Sequence, residues 1–253
     1  MAHSTVWQIL HDAALKPWQY RSWIFPRDPQ FAQRAEVVLD LYAGVYGGKP
    51  LGANDHVLSL DEKTGLLLRT RLHPTRPPHE GSPGRVEFEY ERHGVGVLLA
   101  GIDVRSGRVF HRVEPKNGIV PFQTLLSGVI EQEPYRKADR LFLLVDGGGS
   151  HHRSTFQARL DEAFPSPDYP RMIAVHLPNH ASWLNQIELF FSVVARKALR
   201  HFECRSLEEM AEQLGRFIER HNQNPHPFRW SFTKKDLERM ILRWEAKGYS
   251  LAA

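Results

Sequence analysis

Residues 141–146 read "LFLLVD": five apolar residues in a row, then a carboxylate, then "GGGSHH". A strand with one wet face alternates apolar and polar residues. An unbroken apolar run of this length, closed by turn residues, suits the centre of a sheet covered on both faces. The chain is therefore expected to be α/β, with helices on both sides of a sheet. Its other segments agree. "HVLSLDEKT", "VEFEYERHG", "VGVLLAGIDV" and "RVFHRVEP" read as short strands of an antiparallel meander, with the turn "RSGR" before the last. "IVPFQTLLSGVIEQ" and "STFQARLDEAF" have helical spacing, and "RMIAVHLP" is a further strand. "WLNQIELFFSVVARKALRHF" reads as a long helix, apolar nearly all round. In "SLEEMAEQLGRFIERHNQ", Ser206 and Glu209 predict a capping box, and Leu207, Met210, Leu214, Phe217 and Ile218 an apolar stripe.

Ahead of the strands, "STVWQILHDAAL" predicts a helix capped by Ser4, with Val6, Ile9, Leu10 and Ala13 on one side. A second helix is expected over 29–46, and the turn cluster "GGKPLGAND" marks a boundary. The expected organisation is a helical segment and linker over 1–54, a sheet domain over 55–224 and a helical tail over 225–253. The balance of 33 Lys and Arg against 29 Asp and Glu suits a polyanionic partner without requiring one. A single cysteine, Cys204, excludes an internal disulfide framework and a cysteine-built zinc site. No apolar run approaches the roughly 20 residues that span a bilayer. "MAHSTVWQIL" lacks the pattern of a secretory signal, so a cytoplasmic protein with no membrane partner is expected.

Chemistry is expected at three acids. Asp61 and Asp146 each close a candidate strand, where an α/β sheet presents groups to a ligand. Glu188 is flanked by Ile187, Leu189, Phe190 and Phe191. A carboxylate inside such a helix must be protonated, ion-paired or bound to a cation, because burying it alone costs several kcal/mol. Arg196, Lys197 and Arg200 lie beyond its i+4 reach. Three carboxylates without a cysteine cluster suit a hard, oxygen-ligated ion, Mg²⁺ or Mn²⁺. Two such ions, about 4 Å apart, can activate a water or hydroxyl and stabilise the leaving oxygen of a phosphodiester. The run "GGGS" lacks the Gly-Lys-Ser/Thr ending of a phosphate-cradling loop.

"LSLDEKTG", "LLVDGGGSHH" and "HASWLNQIELFFS" together resemble the three acidic motifs of bacterial insertion-sequence transposases related to mariner elements. "HPTRPP", "FEYERHG" and "PFRWSFT" extend the resemblance over nearly the whole chain. It implies an RNase H-like mixed sheet and a DDE triad of Asp61, Asp146 and Glu188 holding two Mg²⁺ or Mn²⁺ ions. It also implies double-stranded DNA partners, both transposon ends and target, a homodimer in the synaptic complex, and a nucleoid-associated location in a bacterial cytoplasm. His151 matches a histidine usual in the family, and with Asn185 it is expected to support the triad. DNA contacts are expected from Arg69, Arg71 and Arg76 in the proline-rich stretch, from Arg196, Lys197 and Arg200, and from Trp183 by base stacking. Two departures stand out. Gly147 occupies a position where the family usually has Asn, and "HSTVWQILHDAAL" resembles only the last helix of two helix-turn-helix units. An N-terminally truncated copy is therefore expected. Two other functions remain open: a nuclease without strand joining, and a non-catalytic DNA-binding remnant.

Overall fold

The computed structural model describes residues 2–13 and 28–248. Helix α1 (His3–Asp12) buries none of its side chains. It starts from Ala2, so Ser4 lies within the helix and not at its cap as expected. Helix α2 (Phe31–Tyr42) leads into a small ribbon of β1 (Val45–Tyr46) and β2 (Lys49–Pro50). Much of the aromatic stretch "KPWQYRSWIFPRDP" falls outside the described residues.

The main sheet has five strands: β3 (Asp55–Arg71), β4 (Tyr90–Asp103), β5 (Val109–Glu114), β6 (Arg140–Val145) and β7 (Arg171–His176). Their order is β5-β4-β3-β6-β7. The meander β3–β4–β5 is antiparallel, while β6 runs parallel to both β3 and β7. Helix α3 (Ile119–Ile130) precedes β6, and α4 (Phe156–Ala163) connects β6 to β7. Then follow α5 (Ile187–Lys197), α6 (Leu207–Asn222) and α7 (Lys234–Glu245). The mixed, helix-flanked sheet is the RNase H-like arrangement expected.

The apolar run that opened the sequence reading behaves as a central strand should. Leu141, Leu143 and Val145 pack with Phe122 and Leu126 of α3 and Phe156 of α4. Phe142 and Leu144 point the other way, into a cluster with Phe31 and Val38 of α2 and Leu237 of α7. Alternation along a strand sends successive side chains to opposite faces, and here both faces are dry. A third cluster joins Leu98, Ala100 and Ile102 of β4 to α5 and α6.

A half-buried ion pair sits at the start of the parallel register. Asp55 and Arg140, partners at the start of β3 and β6, are joined by Nε to Oδ1 at 2.9 Å and Nη2 to Oδ2 at 2.5 Å. The Asp55 side chain is 2% exposed. The Arg140 hydrogen bonds hold its carboxyl below the ordinary range.

Several details differ from the sequence reading. The expected boundary near residue 54 does not separate α2 from the sheet, because Phe31, Ala35 and Val38 are fully buried against it. At the other end, α7 buries Leu237 in the same cluster, so the folded unit extends beyond 55–224 at both ends. Asp61 does not close a strand. It lies inside the 17-residue β3, just before an irregularity between Lys63 and Leu66 where Gly65 adopts φ +72°. The proline-rich stretch extends the β3–β4 hairpin, with paired backbone bonds between Arg76 and Arg85 and between His79 and Ser82. Helix α5 is shorter and more one-sided than expected: Ile187, Phe190, Phe191 and Val194 are buried, but Leu189 is 40% exposed. The Ser206 cap on α6 forms, yet Glu209 reaches back to the N–H of Arg205.

Candidate active site

The parallel pairing of β3 with β6 places the first two acids. The last paired residues are Ser59 and Leu144, and two residues further along each chain come Asp61 and Asp146. Side chains two apart share a face, and neighbouring strands lie about 4.8 Å apart. The pairing thus brings Asp61 and Asp146 to the same end of the sheet, on neighbouring strands.

The third acid arrives through a buried polar clasp. Ser59, fully buried on β3, accepts a bond from the N–H of Ile187 at 2.9 Å and donates to Asn185 Oδ1. Asn185 Nδ2 in turn donates to Leu60 O and to Asp61 Oδ2, both at 3.1 Å. Tyr42 of α2 donates to Leu184 O at 2.6 Å and accepts from the Gln186 N–H at 3.4 Å. The start of α5 is therefore fastened to the strand that carries Asp61, and Glu188 is in its first turn. Glu188 is half-buried, not enclosed as the sequence suggested, because α5 presents only one side to the core.

The electrostatics reflect this convergence. Burial, joined by the charges of Asp146, Glu62 and Glu188 and opposed by the bond from the Glu62 N–H, pushes the Asp61 carboxyl up to about 7. Asp146 moves the other way. His151 Nδ1 lies 3.3 Å from its Oδ1 and holds it below the ordinary carboxylate range, although its side chain is 51% exposed.

His151 is itself 1% exposed, packed edge-on against Phe122 and Phe156, and its Nε2 is 3.8 Å from Glu62 Oε1. His176 Nε2 donates to the His151 backbone carbonyl at 2.9 Å.

Ser59, Glu62 and Tyr42 were missed by sequence reasoning. A signal existed for Ser59: it shares a face with Asp61, so two polar residues in succession occupy a face that is otherwise buried.

The donor set suits a hard divalent cation: three carboxylates, one of them desolvated and repelled by the others. Among the described residues, no group of three or more His, Cys, Asp and Glu side chains is arranged as it stands to hold a metal ion. Asp146 is turned towards His151, so coordination would require its side chain to rotate.

The basic residues divide. Arg76, Arg196, Lys197 and Arg200 are exposed. Arg69 is half-buried over the Tyr90 ring at 5.1 Å. Arg71 is committed within the protein, donating to Glu87 O and lying 3.8 Å from Glu203. Trp183 is 44% exposed and meets Phe232 edge-on at 5.0 Å. Among the described residues no helix is long and apolar enough to cross a membrane.

Comparison with known proteins follows the same outline. Residues 56–211 match the family model described as DDE superfamily endonuclease. No curated protein matches the chain. Among solved structures, the Mos1 mariner paired-end complex with Mn superposes with a TM-score of 0.56 at 14% identity, covering 97% of this chain and 69% of that one. A pre-cleavage Mos1 transpososome gives 0.56 at 15% identity, with 97% and 70% covered. The Mos1 strand transfer complex gives 0.55 at 14%, with 97% and 68% covered. At these identities the likeness is one of fold.

Proposed function

Because the chain belongs to the DDE superfamily endonucleases, we propose that it is a DNA transposase, cutting transposon ends and joining their 3′-hydroxyls to target DNA. The observation that carries this reading is the convergence of Asp61, Asp146 and the start of α5, with Asp61 feeling the charges of Asp146 and Glu188. Asp61, Asp146 and Glu188 would hold two Mg²⁺ or Mn²⁺ ions. Bound ions would supply activation of the attacking oxygen and stabilisation of the leaving one. The chain's own residues do the positioning. Asn185 fixes the Asp61 carboxylate and ties α5 to it, while His151 fixes Asp146. Such supporting groups orient metal ligands.

Exposed Arg76, Arg196, Lys197 and Arg200 would contact DNA phosphates, with Arg69 beside them. Arg71 serves by holding the hairpin extension. The paired-end assemblies of Mos1 support a homodimer on two DNA ends for this chain.

The test is incubation of the protein with supercoiled plasmid carrying the DNA that flanks its gene. Wild type should nick it only with Mg²⁺ or Mn²⁺ and join freed 3′ ends to target, whereas Asp146→Asn and Glu188→Gln should do neither. Nicking without joining would reduce the protein to a nuclease. DNA binding with no metal-dependent nicking would overturn the catalytic reading.

A further inference from the structure

A side chain at position 147 would meet the end of the Arg153 side chain. A Cβ there would lie 2.8 Å from Arg153 Cζ, 3.0 Å from Nη2 and 3.1 Å from Nε. The guanidinium thus packs against the residue that directly follows Asp146. It is held there from the far side: Nη2 donates to Leu177 O at 2.6 Å and Nη1 to Asn179 Oδ1 at 2.8 Å. Asp28 lies 3.9 Å from Nη2 and accepts from the Asn179 N–H at 3.1 Å. Leu177 closes the frame, because its N–H donates to Val145 O at 2.9 Å. One arginine therefore braces the chain leaving β6 against the chain leaving β7. Its Nε is buried with no hydrogen-bond partner in the described structure. Burial depresses the Arg153 pKa, Arg34 adds to this, and Asp28 and Asp146 oppose it.

We propose that Arg153 is a positioning residue for Asp146: by filling the space beside Gly147 it sets the direction in which that carboxylate leaves the strand. The idea rests on the reading of Asp146 as a cation ligand. The physical need is clear. Gly147, Gly148 and Gly149 follow the carboxylate, and glycine backbone loses more freedom on ordering than any other. His151 holds the Asp146 carboxylate itself, and Arg153 holds the backbone from which it springs.

Mn²⁺ titration followed by electron paramagnetic resonance at pH 8 tests this, with thermal unfolding as a check on folding. Arg153→Ala should weaken Mn²⁺ binding by about 10–100-fold, as loss of a ligand-orienting group does. Gly147→Ala should also weaken it, through the clash. The double variant should bind no worse than Arg153→Ala alone, because the atom struck by the new methyl is gone. Arg153→Lys should not rescue, since it keeps the charge but not the planar fork. In the metal-free protein, amide exchange at Gly147 and Gly148 should quicken in Arg153→Ala. Arg153→Gln, which keeps a donor for Leu177, replaces the alanine variant if that fails to fold. Unchanged Mn²⁺ affinity and unchanged glycine exchange in a folded Arg153→Ala would overturn the proposal, as would full rescue by lysine. Failure of wild type to bind Mn²⁺ would sink the cation-site reading, and the glycine exchange would still decide whether Arg153 braces the turn.

Discussion

Asp61 carries the largest electrostatic strain of the site. Its carboxyl titrates near 7 when buried among acids, against 3.8 for the free group. Between these values the folded protein keeps a proton that the unfolded chain releases. Stability of the metal-free protein therefore falls as pH rises from about 4 to 7, and above that range the penalty is complete. Its ceiling is on the order of 4 kcal/mol. Asp61→Asn should consequently raise the metal-free melting temperature at pH 8 and change it little near pH 4. Added Mn²⁺ should stabilise wild type and not the variant. A variant no more stable than wild type at pH 8 would contradict the assigned strain. The residues around this carboxylate were unevenly legible. Asp61, Asp146 and Glu188 stood out by their motifs, and Asn185 by its place one turn ahead of Glu188. Ser59 and Tyr42 did not, because their importance lies in bonds to residues more than a hundred positions away.

Elements place the acids, and the parallel β3–β6 pair matters most. A one-residue slip would turn every side chain of a strand to the other face, separating Asp61 from Asp146. The Asp55–Arg140 pair sits at the beginning of that register. Asp55→Asn should cost about 2 kcal/mol, the scale of hydrogen bonds to a charged group, readable by denaturant unfolding. Because Asp55 titrates below its ordinary value, this contribution is complete above the unfolded pKa and is lost as pH falls through the folded one. The difference between wild type and variant should thus shrink in strong acid. A gap that stays constant from pH 7 to pH 2 would refute the assignment. β6 was legible because no other element tolerates five consecutive apolar residues between turn signals so readily. The length of β3 was not: Gly65 interrupts the alternation, so one 17-residue strand reads as a short strand and a loop. The enclosure of Glu188 was misjudged for the opposite reason. Leu189 and Val193 make α5 look apolar all round, yet the structure leaves Leu189 exposed.

Across the whole molecule, one face of the sheet is covered by α3 and α4, and the other draws helices α2 and α7 from opposite ends of the main sheet's sequence. Local periodicity revealed those helices but could not say what they cover, so α2 and α7 read as parts of flanking segments. Their burial against Phe142 and Leu144 makes them part of one core. A fragment of residues 55–224 should accordingly lack the cooperative unfolding expected of 28–248, since it would expose the apolar face those helices cover. Cooperative melting of the shorter fragment at the same temperature would show the helices to be accessory. The single claim on which everything else depends is that Asp61, Asp146 and Glu188 close on shared divalent ions. Anomalous diffraction from crystals soaked in Mn²⁺ measures that directly. The account predicts manganese peaks bonded to oxygens of all three carboxylates, with Asp146 rotated away from His151. Manganese held elsewhere, or none between these side chains in a well-ordered crystal, would contradict it.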